Sequence, residues 1–536
     1  MALTLPNPSL KQASHDNQHK PISTKRILST QFLHLTSTTS PPSSSMAKKI
    51  IYKSISRISS SVARAVPGLD DSLSTTTTAL PQKQEKTQEG QEREEQEEEM
   101  EELAQEGDKV GKLSERWREI QGENHWTGLL EPMDPLLRSE LIRYGEHAQA
   151  CYDAFDYDPF SRYCGSCRHN RRHFFEELTL DNHCSYEVTR YLYATSNPNL
   201  RNFFRRSQWP RTWSTAANWI GYVASAGGKD GIDTGKSELG RRDIVVAWRG
   251  TVTRLEWIAD LMDCLKPVGL SHGDRLVKVE SGFLDLYLSK DPACRFSKYS
   301  AREQVLSEVR SLMERYKDEP ELSITVTGHS LGGALALLSA YDIAESGLNL
   351  RLDGTRALIT VFSFAAPRVG NRHFAKRCEE LGVHVLRVVN VHDTVPKVPG
   401  FLINEHVQVP QALTDGLPWS YAHVGVELTL DHRRSPFLKE TGDPSCYHNL
   451  EAHLHLLDGY HGRGQRFVLA SGRDPALVNK ASDFLKEHHM VPPNWRQERN
   501  KGMVKGPHGR WVQPERNRVE DHPLDIKGHL DQIKLL

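Results

Sequence analysis

The strongest chemical signal in the sequence is the segment 328–332, which reads Gly-His-Ser-Leu-Gly. It follows a run of β-forming residues at 322–327 and precedes an Ala- and Leu-rich segment at 334–345 that favours a helix. A serine held on a sharp strand-to-helix turn exposes its hydroxyl for attack on an acyl carbonyl. We therefore predict that Ser330 is a nucleophile. The alternative is an inert serine in a glycine-rich turn.

The residues around the serine suit such a turn. Gly328 and Gly332 lack the Cβ atoms that would collide where a strand and the following helix pass closely, and His329 completes the turn. The start of the helix also presents backbone N–H groups. The N–H of Leu331, directly after the nucleophile, is predicted to stabilise a developing oxyanion.

A serine hydroxyl is a weak nucleophile and needs a histidine base that is itself oriented by a carboxylate. When the nucleophile lies on a turn of this kind, the acid and then the base follow it along the chain. Asp393 comes just after the β-forming run 384–391, so we predict that it is the acid. Asp342 is weaker because it lies on the helix after the serine, and Asp353 because it precedes its strand.

The choice of base is less restricted, because six histidines follow the predicted acid. They are His423, His432, His448, His453, His455 and His461. His448 lies between a loop at 442–445 and a predicted helix at 449–457, and a side chain at such a junction can reach the turn of the serine. The pattern favours His448 and leaves the others open.

The segments that must position these residues alternate between strand and helix patterns. The β-forming runs are 243–248, 322–327, 357–364 and 384–391. The segments with helical spacing or composition are 136–155, 305–316 and 334–345. Such alternation predicts an α/β fold with a mostly parallel central sheet and helices on both faces.

Several short segments, taken in order, resemble one family. They are Arg249-Gly250-Thr251, the turn of Ser330, Pro367-Arg368-Val369-Gly370-Asn371, Asp393-Thr394-Val395-Pro396 and His448-Asn449-Leu450-Glu451. Together they resemble the class 3 lipase family. Other segments, such as Tyr163-Cys164-Gly165-Ser166-Cys167, resemble the plant class I phospholipases A1 within it, most of all the chloroplast-targeted gamma type. The likeness covers roughly residues 113–511.

The resemblance implies an α/β-hydrolase fold with Ser330 as nucleophile, Asp393 as acid and His448 as base, and it adds Thr251 to Leu331 as an oxyanion donor. It implies a serine acylhydrolase that cleaves the sn-1 ester of membrane glycerolipids, phosphatidylcholine and galactolipids among them. The reaction passes through an acyl-enzyme and requires no metal or organic cofactor. Two alternatives stay open: a triacylglycerol lipase or general esterase, and a non-catalytic lipase-like signalling scaffold.

The resemblance also raises the question of a lid, since lipases of this family often cover the site with a mobile segment. The segment 261–276 contains Leu265, Pro267, Val268 and Leu270, which suit a loop that presents apolar side chains to lipid. An ordinary surface loop is the alternative.

Composition divides the chain into four parts. Residues 1–69 carry nine Lys and Arg against one acid and are rich in Ser and Thr, which predicts an organelle transit peptide, with a generic disordered tail as the alternative. The resemblance implies that the organelle is the chloroplast, for a protein in the stroma or peripheral on plastid membranes. Residues 70–112 are an acidic low-complexity linker with twelve acids and two bases at 85–108. Residues 113–490 form the catalytic domain. Residues 491–536 are a C-terminal extension, expected to be solvated, whose basic residues could instead touch anionic lipid.

Composition also bears on other functions. There is no run of about 18 apolar residues, so membrane contact is expected to be peripheral. Basic residues concentrate in the predicted transit peptide, which argues against nucleic-acid binding, and no obligate protein partner is inferred. The pair Cys164 and Cys167 is a single C-x-x-C and is expected to be structural or reduced, with a redox switch as the alternative.

Overall fold

In the computed structural model of the protein, the described residues are 111–178, 186–195, 204–227, 238–252, 264–270, 275–400, 420–496, 502–516, 519–522 and 525–533. The predicted transit peptide (1–69) and nearly all of the predicted acidic linker (70–112) lie outside them. The described part therefore comprises the predicted catalytic domain and much of the C-terminal extension.

Seven strands form the central sheet. They are Tyr186–Thr195 (β1), Ala217–Ala226 (β2), Arg242–Trp248 (β3), Leu322–His329 (β6), Leu358–Phe364 (β7), Val383–Asn390 (β8) and Val426–Leu430 (β9). Their spatial order is β1-β2-β3-β6-β7-β8-β9, and all neighbours from β3 onward pair in parallel, whereas β1 and β2 are antiparallel. The mostly parallel sheet confirms the predicted α/β-hydrolase fold class.

Two small antiparallel pairs accompany the sheet. One joins Leu265–Pro267 (β4) to Lys278–Glu280 (β5), and the other joins Val504–Lys505 (β10) to Trp511–Val512 (β11).

The helices lie between and beyond the strands. The α-helices are Leu113–Ile120 (α1), Pro135–Asp153 (α2), Phe174–Glu177 (α3), Ser281–Leu288 (α4), Ala301–Arg315 (α5), Leu331–Glu345 (α6), Arg372–Glu380 (α7), Pro444–Tyr447 (α8), Leu450–Asp458 (α9) and Ile526–Ile533 (α10). Short 3-10 helices are Arg171–His173, Val395–Lys397, His432–Arg434, Pro475–Lys480 and Glu487–His489.

Capping residues set where the helices begin. Helix α5 starts four residues before the predicted 305 because Ser300 and Glu303 form a capping box, in which each side chain binds the backbone N–H of the other. Helix α2 starts at Pro135 because the carboxylate of Asp134 accepts from the N–H groups of the first turn. Such caps satisfy donors that have no partner within the helix.

The central strands of the sheet are buried on both faces, as their apolar sequences predict. In β3, Ile244, Val246 and Trp248 belong to one hydrophobic cluster, whereas Val245 and Ala247 belong to the other. Alternate residues of a strand face opposite sides, so the two clusters are the two layers of the core. Helices α4, α5 and α6 contribute to the first cluster, and α2 and α9 to the second.

The described part of the C-terminal extension packs against the domain. Arg516 forms an ion pair with Asp156 at 2.7 Å, and Glu520 forms one with Arg171 at 2.9 Å. Helix α10 contacts α5. The extension is therefore not solvated throughout, and the domain boundary at residue 490 stays a prediction.

The cysteines of the described residues are free thiols. Burial raises the pKa of Cys164 to about 12 and that of Cys167 to about 12. A thiol needs its thiolate form to react, so both are poorly reactive at neutral pH. This chemistry favours the reduced, structural interpretation over a redox switch.

Within the described part of the chain, none of the helices combines the length and apolar character needed to cross a bilayer.

Candidate active site

Ser330 lies between the last residue of β6 and the first residue of α6. Its backbone has φ 59 and ψ −126, a conformation that costs a non-glycine residue about 1–3 kcal/mol. The surroundings enforce it: the N–H of Ser330 donates to the carbonyl of Phe364 at 2.9 Å. A Cβ atom added at Gly328 would collide with the backbone of Gly332, and one added at Gly332 would collide with the backbone of Trp248. The close approach of strand and helix therefore requires both glycines.

The side chains of Ser330, His448 and Asp393 form a hydrogen-bonded line. Ser330 Oγ lies 2.8 Å from His448 Nε2, and His448 Nδ1 lies 2.6 Å from Asp393 Oδ2. A carboxylate only accepts, so Nδ1 carries a proton and Nε2 is left to accept the serine proton. All three residues are buried, with exposed fractions of 2%, 6% and 1% respectively. The structure therefore brings together the three residues that the sequence predicts as nucleophile, base and acid.

Asp393 is held by the turn that follows β8. Its N–H donates to the carbonyl of Asn390 at 2.9 Å, and its Oδ1 accepts from the N–H of Val395 at 2.9 Å. Asn390 also donates to the carbonyl of Tyr447 at 3.2 Å, next to the histidine. The acid and the base are thus tied to each other through backbone as well as through side chains.

His448 precedes a helix, as the sequence predicts, but it follows a short helix where the sequence predicts a loop. Helix α8 ends at Tyr447 and α9 begins at Leu450, and the intervening Asn449 caps α9 by accepting from the N–H of Glu451. The junction lets the imidazole leave the helix axis and reach the serine.

His329 positions His448 through a hydrogen bond to its backbone. His329 Nε2 lies 2.8 Å from the carbonyl of His448, and its Nδ1 lies 2.8 Å from the hydroxyl of Tyr152. A carbonyl only accepts, so Nε2 carries the proton and Nδ1 accepts from Tyr152. Burial holds the pKa of His329 well below its ordinary value, so the ring is neutral at physiological pH. The sequence places His329 in the turn and Tyr152 near the end of a predicted helix, in a segment that supports the family resemblance, but neither position predicts this hydrogen bond.

The turn after β3 passes beside the serine. Gly250 lies so close to the carbonyl of His329 and the hydroxyl of Tyr152 that a Cβ atom there would collide with both. Arg249 is fully buried, with its guanidinium 3.8 Å from the ring centre of Phe155 and Nη1 donating to the carbonyl of Gly250 at 2.8 Å. Burial lowers the pKa of Arg249 to about 10, so the side chain stays charged. The arginine anchors the turn that carries Thr251.

Leu331 is the first residue of α6, so its N–H has no acceptor within the helix. It directly follows the serine, where an oxyanion would form. Thr251 follows Gly250 and is partly exposed. The two predicted oxyanion donors thus belong to two chain segments that meet at the carboxyl ends of β3 and β6.

The competing candidates have other partners. His423 donates to the carbonyl of Pro396, His453 to that of Asn449, and His455 bonds the hydroxyl of Ser435. His432 and His461 face backbone carbonyls. Asp342 pairs with Arg302 at 2.7 Å, and the exposed Asp353 bonds Thr355 in a turn.

Only part of the predicted lid segment, 264–270 and 275–276, lies among the described residues. There, Leu265 and Val268 are buried and Leu270 packs against the core, whereas Leu276 is exposed. Most of the leucine and valine side chains of this part therefore face the protein, and a lid stays a prediction.

Comparison with known proteins gives the class. The model of the class 3 lipase family matches residues 245–403. Phospholipase A1-Igamma1, chloroplastic, of Arabidopsis thaliana is 63% identical over 437 residues, which cover 80% of this chain and 84% of that protein. With such a relative, the chain belongs to the class 3 lipase family and is an ester hydrolase of that class.

Other relatives extend the comparison. Galactolipase DONGLE, chloroplastic, of Arabidopsis thaliana is 46% identical over 351 residues, covering 65% of this chain and 70% of that protein. Among solved structures, the lipase from Rhizopus microsporus var. chinensis matches with 21% identity and a TM-score of 0.33, over 56% of this chain and 76% of that one.

Proposed function

We propose that the protein hydrolyses the sn-1 acyl ester of membrane glycerolipids, both phospholipids and galactolipids, releasing a free fatty acid and a lysolipid. The hydrogen-bonded line from Ser330 through His448 to Asp393 carries the proposal, because it is the arrangement that acyl transfer to a serine needs. The names of the relatives, a phospholipase A1 and a galactolipase, support the choice of substrates.

In the first step, Ser330 Oγ attacks the acyl carbonyl while His448 Nε2 takes its proton. The carbonyl oxygen becomes an oxyanion, and the N–H of Leu331 and Thr251 donate to it. One such donor contributes about 3 kcal/mol to the stability of the transition state. Asp393 holds the imidazole in the required tautomer and stabilises its charged form.

In the second step, the tetrahedral intermediate expels the glycerol oxygen, which receives the proton from His448. The acyl group then remains on Ser330 as an ester. Water attacks this ester with the same base and the same donors, and the fatty acid leaves. The scheme uses side chains and backbone of this chain only.

The test is release of fatty acid from phosphatidylcholine, galactolipid and triacylglycerol, each labelled separately at every acyl position, by wild-type protein and Ser330→Ala. The proposal expects release from sn-1 of the polar lipids and none from the variant. Preference for triacylglycerol would instead indicate a neutral lipase. Absence of hydrolysis by folded wild-type protein, with anionic lipid or detergent present, would indicate a binding scaffold.

We further propose that the protein meets its membrane through an aromatic patch formed by Phe160 and Trp209. These side chains are 66% and 50% exposed, and Trp209 Nε1 donates to the carbonyl of Phe160 at 2.6 Å. Arg206 and Arg211 flank the tryptophan and are also exposed. Exposed aromatic rings beside basic residues suit the interface of an anionic bilayer, where each basic residue contributes about 1 kcal/mol.

The chain that follows the aromatic patch enters β2 at the same edge of the sheet as the serine. Strand β2 is antiparallel to β3 and pairs Gly221 with Trp248, so the residues before Ala217 lie beyond the carboxyl end of β3. That edge also carries Ser330, since Trp248 pairs with Gly328. Contact through the patch would therefore bring the bilayer to the side of the molecule where the ester must enter.

Sedimentation with vesicles of phosphatidylglycerol and phosphatidylcholine tests the aromatic patch, using Ser330→Ala protein so that the lipid stays intact. Phe160→Ala and Trp209→Ala should each weaken binding severalfold. Leu352→Ala is the matched control, since Leu352 is 82% exposed and lies before the amino end of β7, at the opposite edge. Equal binding by all variants would assign membrane contact to another surface.

We also propose that the protein resides in plastids, peripheral on their membranes. The composition of residues 1–69 supports this, as do relatives named chloroplastic. Residues 1–110 fused to a fluorescent protein should enter chloroplasts. Retention of the fusion in the cytosol would overturn the assignment.

A further inference from the structure

Three side chains outside the proposed mechanism meet at the carboxyl ends of β8 and β9. His392 lies two residues after β8, and Asp431 and His432 directly follow β9. The two strands are parallel neighbours that pair Asn390 with Leu430, so their ends meet at one place. One nitrogen or oxygen atom from each of the three residues lies within 4.8 Å of the others.

We propose that His392, Asp431 and His432 form a binding site for a divalent transition-metal cation of the zinc type. Two imidazoles and one carboxylate are ligands that zinc and its neighbours in the first transition row prefer. Three protein ligands leave a fourth position for water. Magnesium and calcium, which prefer oxygen ligands, are disfavoured.

His432 is already in the form that a metal requires. The residue is fully buried, and its Nε2 lies 3.1 Å from the carbonyl of Glu440. Because a carbonyl only accepts, the proton is on Nε2 and the lone pair is on Nδ1. Among the described residues, Nδ1 is buried and has no hydrogen-bond partner. A donated Nε2–H and an available Nδ1 are the usual arrangement of a metal-bound histidine.

The other two ligands are close to the spacing that a metal imposes. His392 Nε2 lies 3.3 Å from Asp431 Oδ1. Two ligands at zinc distances on a tetrahedral centre lie about 3.4 Å apart. The N–H of Arg433 donates to Asp431 Oδ1 at 3.0 Å and holds the carboxylate in place. The side chains of His392 and Asp431 are 27% and 36% exposed, so a cation can enter from solvent.

Three nearby cationic side chains oppose the cation. Arg433 and Arg434 follow His432 on the same short helix, and Lys397 Nζ donates to the carbonyl of Val391, next to His392, at 2.7 Å. All three side chains are exposed, so solvent and salt screen their repulsion. The carboxylate and the buried neutral imidazole act at contact distance and are screened less.

A bound cation would brace the proposed catalytic loop. Asp393 directly follows His392, and the ring of Tyr447, next to His448, stacks on that of His432 with centres 4.8 Å apart. The effect on catalysis rests on the proposed function, whereas cation binding does not.

The experiment is titration of the full-length protein with Co²⁺ and Zn²⁺ alone, followed by visible absorption and by calorimetry. Wild-type protein should bind one cation at this site, and tetrahedral Co²⁺ should absorb in the visible. His392→Ala and Asp431→Asn should each lower the affinity at least tenfold. His173→Ala is the control, because His173 and Glu176 form an exposed pair at 2.8 Å.

Two further measurements keep the outcome clear. Zn²⁺ should raise the melting temperature of wild-type protein more than that of the His392→Ala variant. The variant should fold, because the His392 side chain is partly exposed. Ser330→Ala should bind the cation as wild type does, so failure of the hydrolase proposal would leave this result unaffected. Absence of saturable binding, or equal affinity in wild type, His392→Ala and Asp431→Asn, would overturn the site.

Discussion

Two buried polar clusters lie at opposite ends of the parallel strands, and their hydrogen-bond arrangements differ. At the amino ends of β3 and β6, polar side chains gather around Asp243. At the carboxyl ends, they gather around Ser330. The same parallel strands connect the two clusters, since β3 and β6 pair from Arg242 and Leu322 to Trp248 and Gly328.

At the amino ends, Asp243 accepts four hydrogen bonds, and the donors surround it completely. They are the hydroxyls of Tyr144, Tyr186, Ser323 and Thr325, at 2.6 to 2.9 Å. Burial raises the pKa of Tyr144 and of Tyr186, so both keep their donor protons. Arg241 and Glu140, also fully buried, extend the network with a contact at 3.1 Å.

At the carboxyl ends, hydrogen bonds connect Asp393 to His448 and His448 to Ser330 in a single line. Ser330 is at the end of this line and has a strained backbone conformation. A buried carboxylate that accepts from four donors stabilises one structure and resists change. A line that ends in a hydroxyl facing a base can pass a proton on. We therefore expect changes at the carboxyl ends to affect rate, and changes at the amino ends to affect stability.

Ser330→Ala should have the largest effect on the rate of hydrolysis of the substitutions at the carboxyl ends. Loss of the nucleophile should reduce kcat about 10⁶-fold, as in other hydrolases of this chemistry, while the melting temperature stays nearly unchanged. Fatty-acid release tests the expected loss of kcat, and thermal unfolding of the same preparation tests the expected melting temperature. A large loss of stability would remove the distinction between the two ends.

Asp393→Asn should reduce kcat about 10⁴-fold, because the amide favours the wrong tautomer of His448. The substitution keeps size and shape, so stability should change little. Comparison of kcat with the urea midpoint is the measurement. A loss of less than tenfold would mean that Asp393 does not orient the base.

Asp243→Asn should give the opposite result. It places an amide among hydroxyls and an arginine arranged for a carboxylate, and breaking a buried charged network costs about 3–5 kcal/mol. The free energy of unfolding should fall by that amount, whereas kcat per folded molecule should stay within about twofold, since the chemistry is at the far end. A fall in kcat without loss of stability would show that the two clusters are coupled.

Tyr152→Phe sharpens the comparison within the carboxyl end. It removes the hydroxyl that His329 Nδ1 accepts and leaves that nitrogen buried without its partner, which costs about 1–3 kcal/mol. His329 donates to the backbone carbonyl of His448 and so helps to position the base. We therefore expect kcat to fall roughly tenfold with KM little changed. An effect on KM alone would assign Tyr152 to substrate binding instead.

Mild acid should destabilise the carboxyl end first, because two buried histidines there, His329 and His453, are neutral. Burial lowers the pKa of His453 and of His329 below the ordinary value near 6.5, which applies to the unfolded chain. Below that pH the unfolded chain binds protons that the folded protein does not, so the free energy of unfolding falls as pH falls. Each histidine contributes at most about 1.4 kcal/mol per pH unit.

His453→Gln tests this prediction. Urea unfolding of wild type and variant between pH 7.5 and 5 should show a shallower pH dependence in the variant. Identical slopes would mean that His453 does not contribute.

The sequence alone determined the features that depend on neighbouring residues. The strand, the turn and the helix around Ser330 are contiguous, so their propensities and glycines predict them together. The position of Asp393 just after a strand and that of His448 before a helix are also local patterns. The mostly parallel sheet follows from strands buried on both faces, which read as continuous apolar runs.

Tertiary structure alone decided what depends on distant residues. Strands β1, β2 and β9 were not predicted. Polar residues interrupt the apolar pattern of β1 and β9, whereas β2 is largely apolar and its place in the sheet depends on antiparallel pairing with β1 and β3. Three contacts join segments that are far apart in the chain. They are the bond of His448 to Ser330, which distinguishes it from the five other histidines, the bond from Tyr152 to His329, and the contact of His392 with Asp431. Spacing along the sequence does not encode such contacts, since they arise only when parallel strands end side by side.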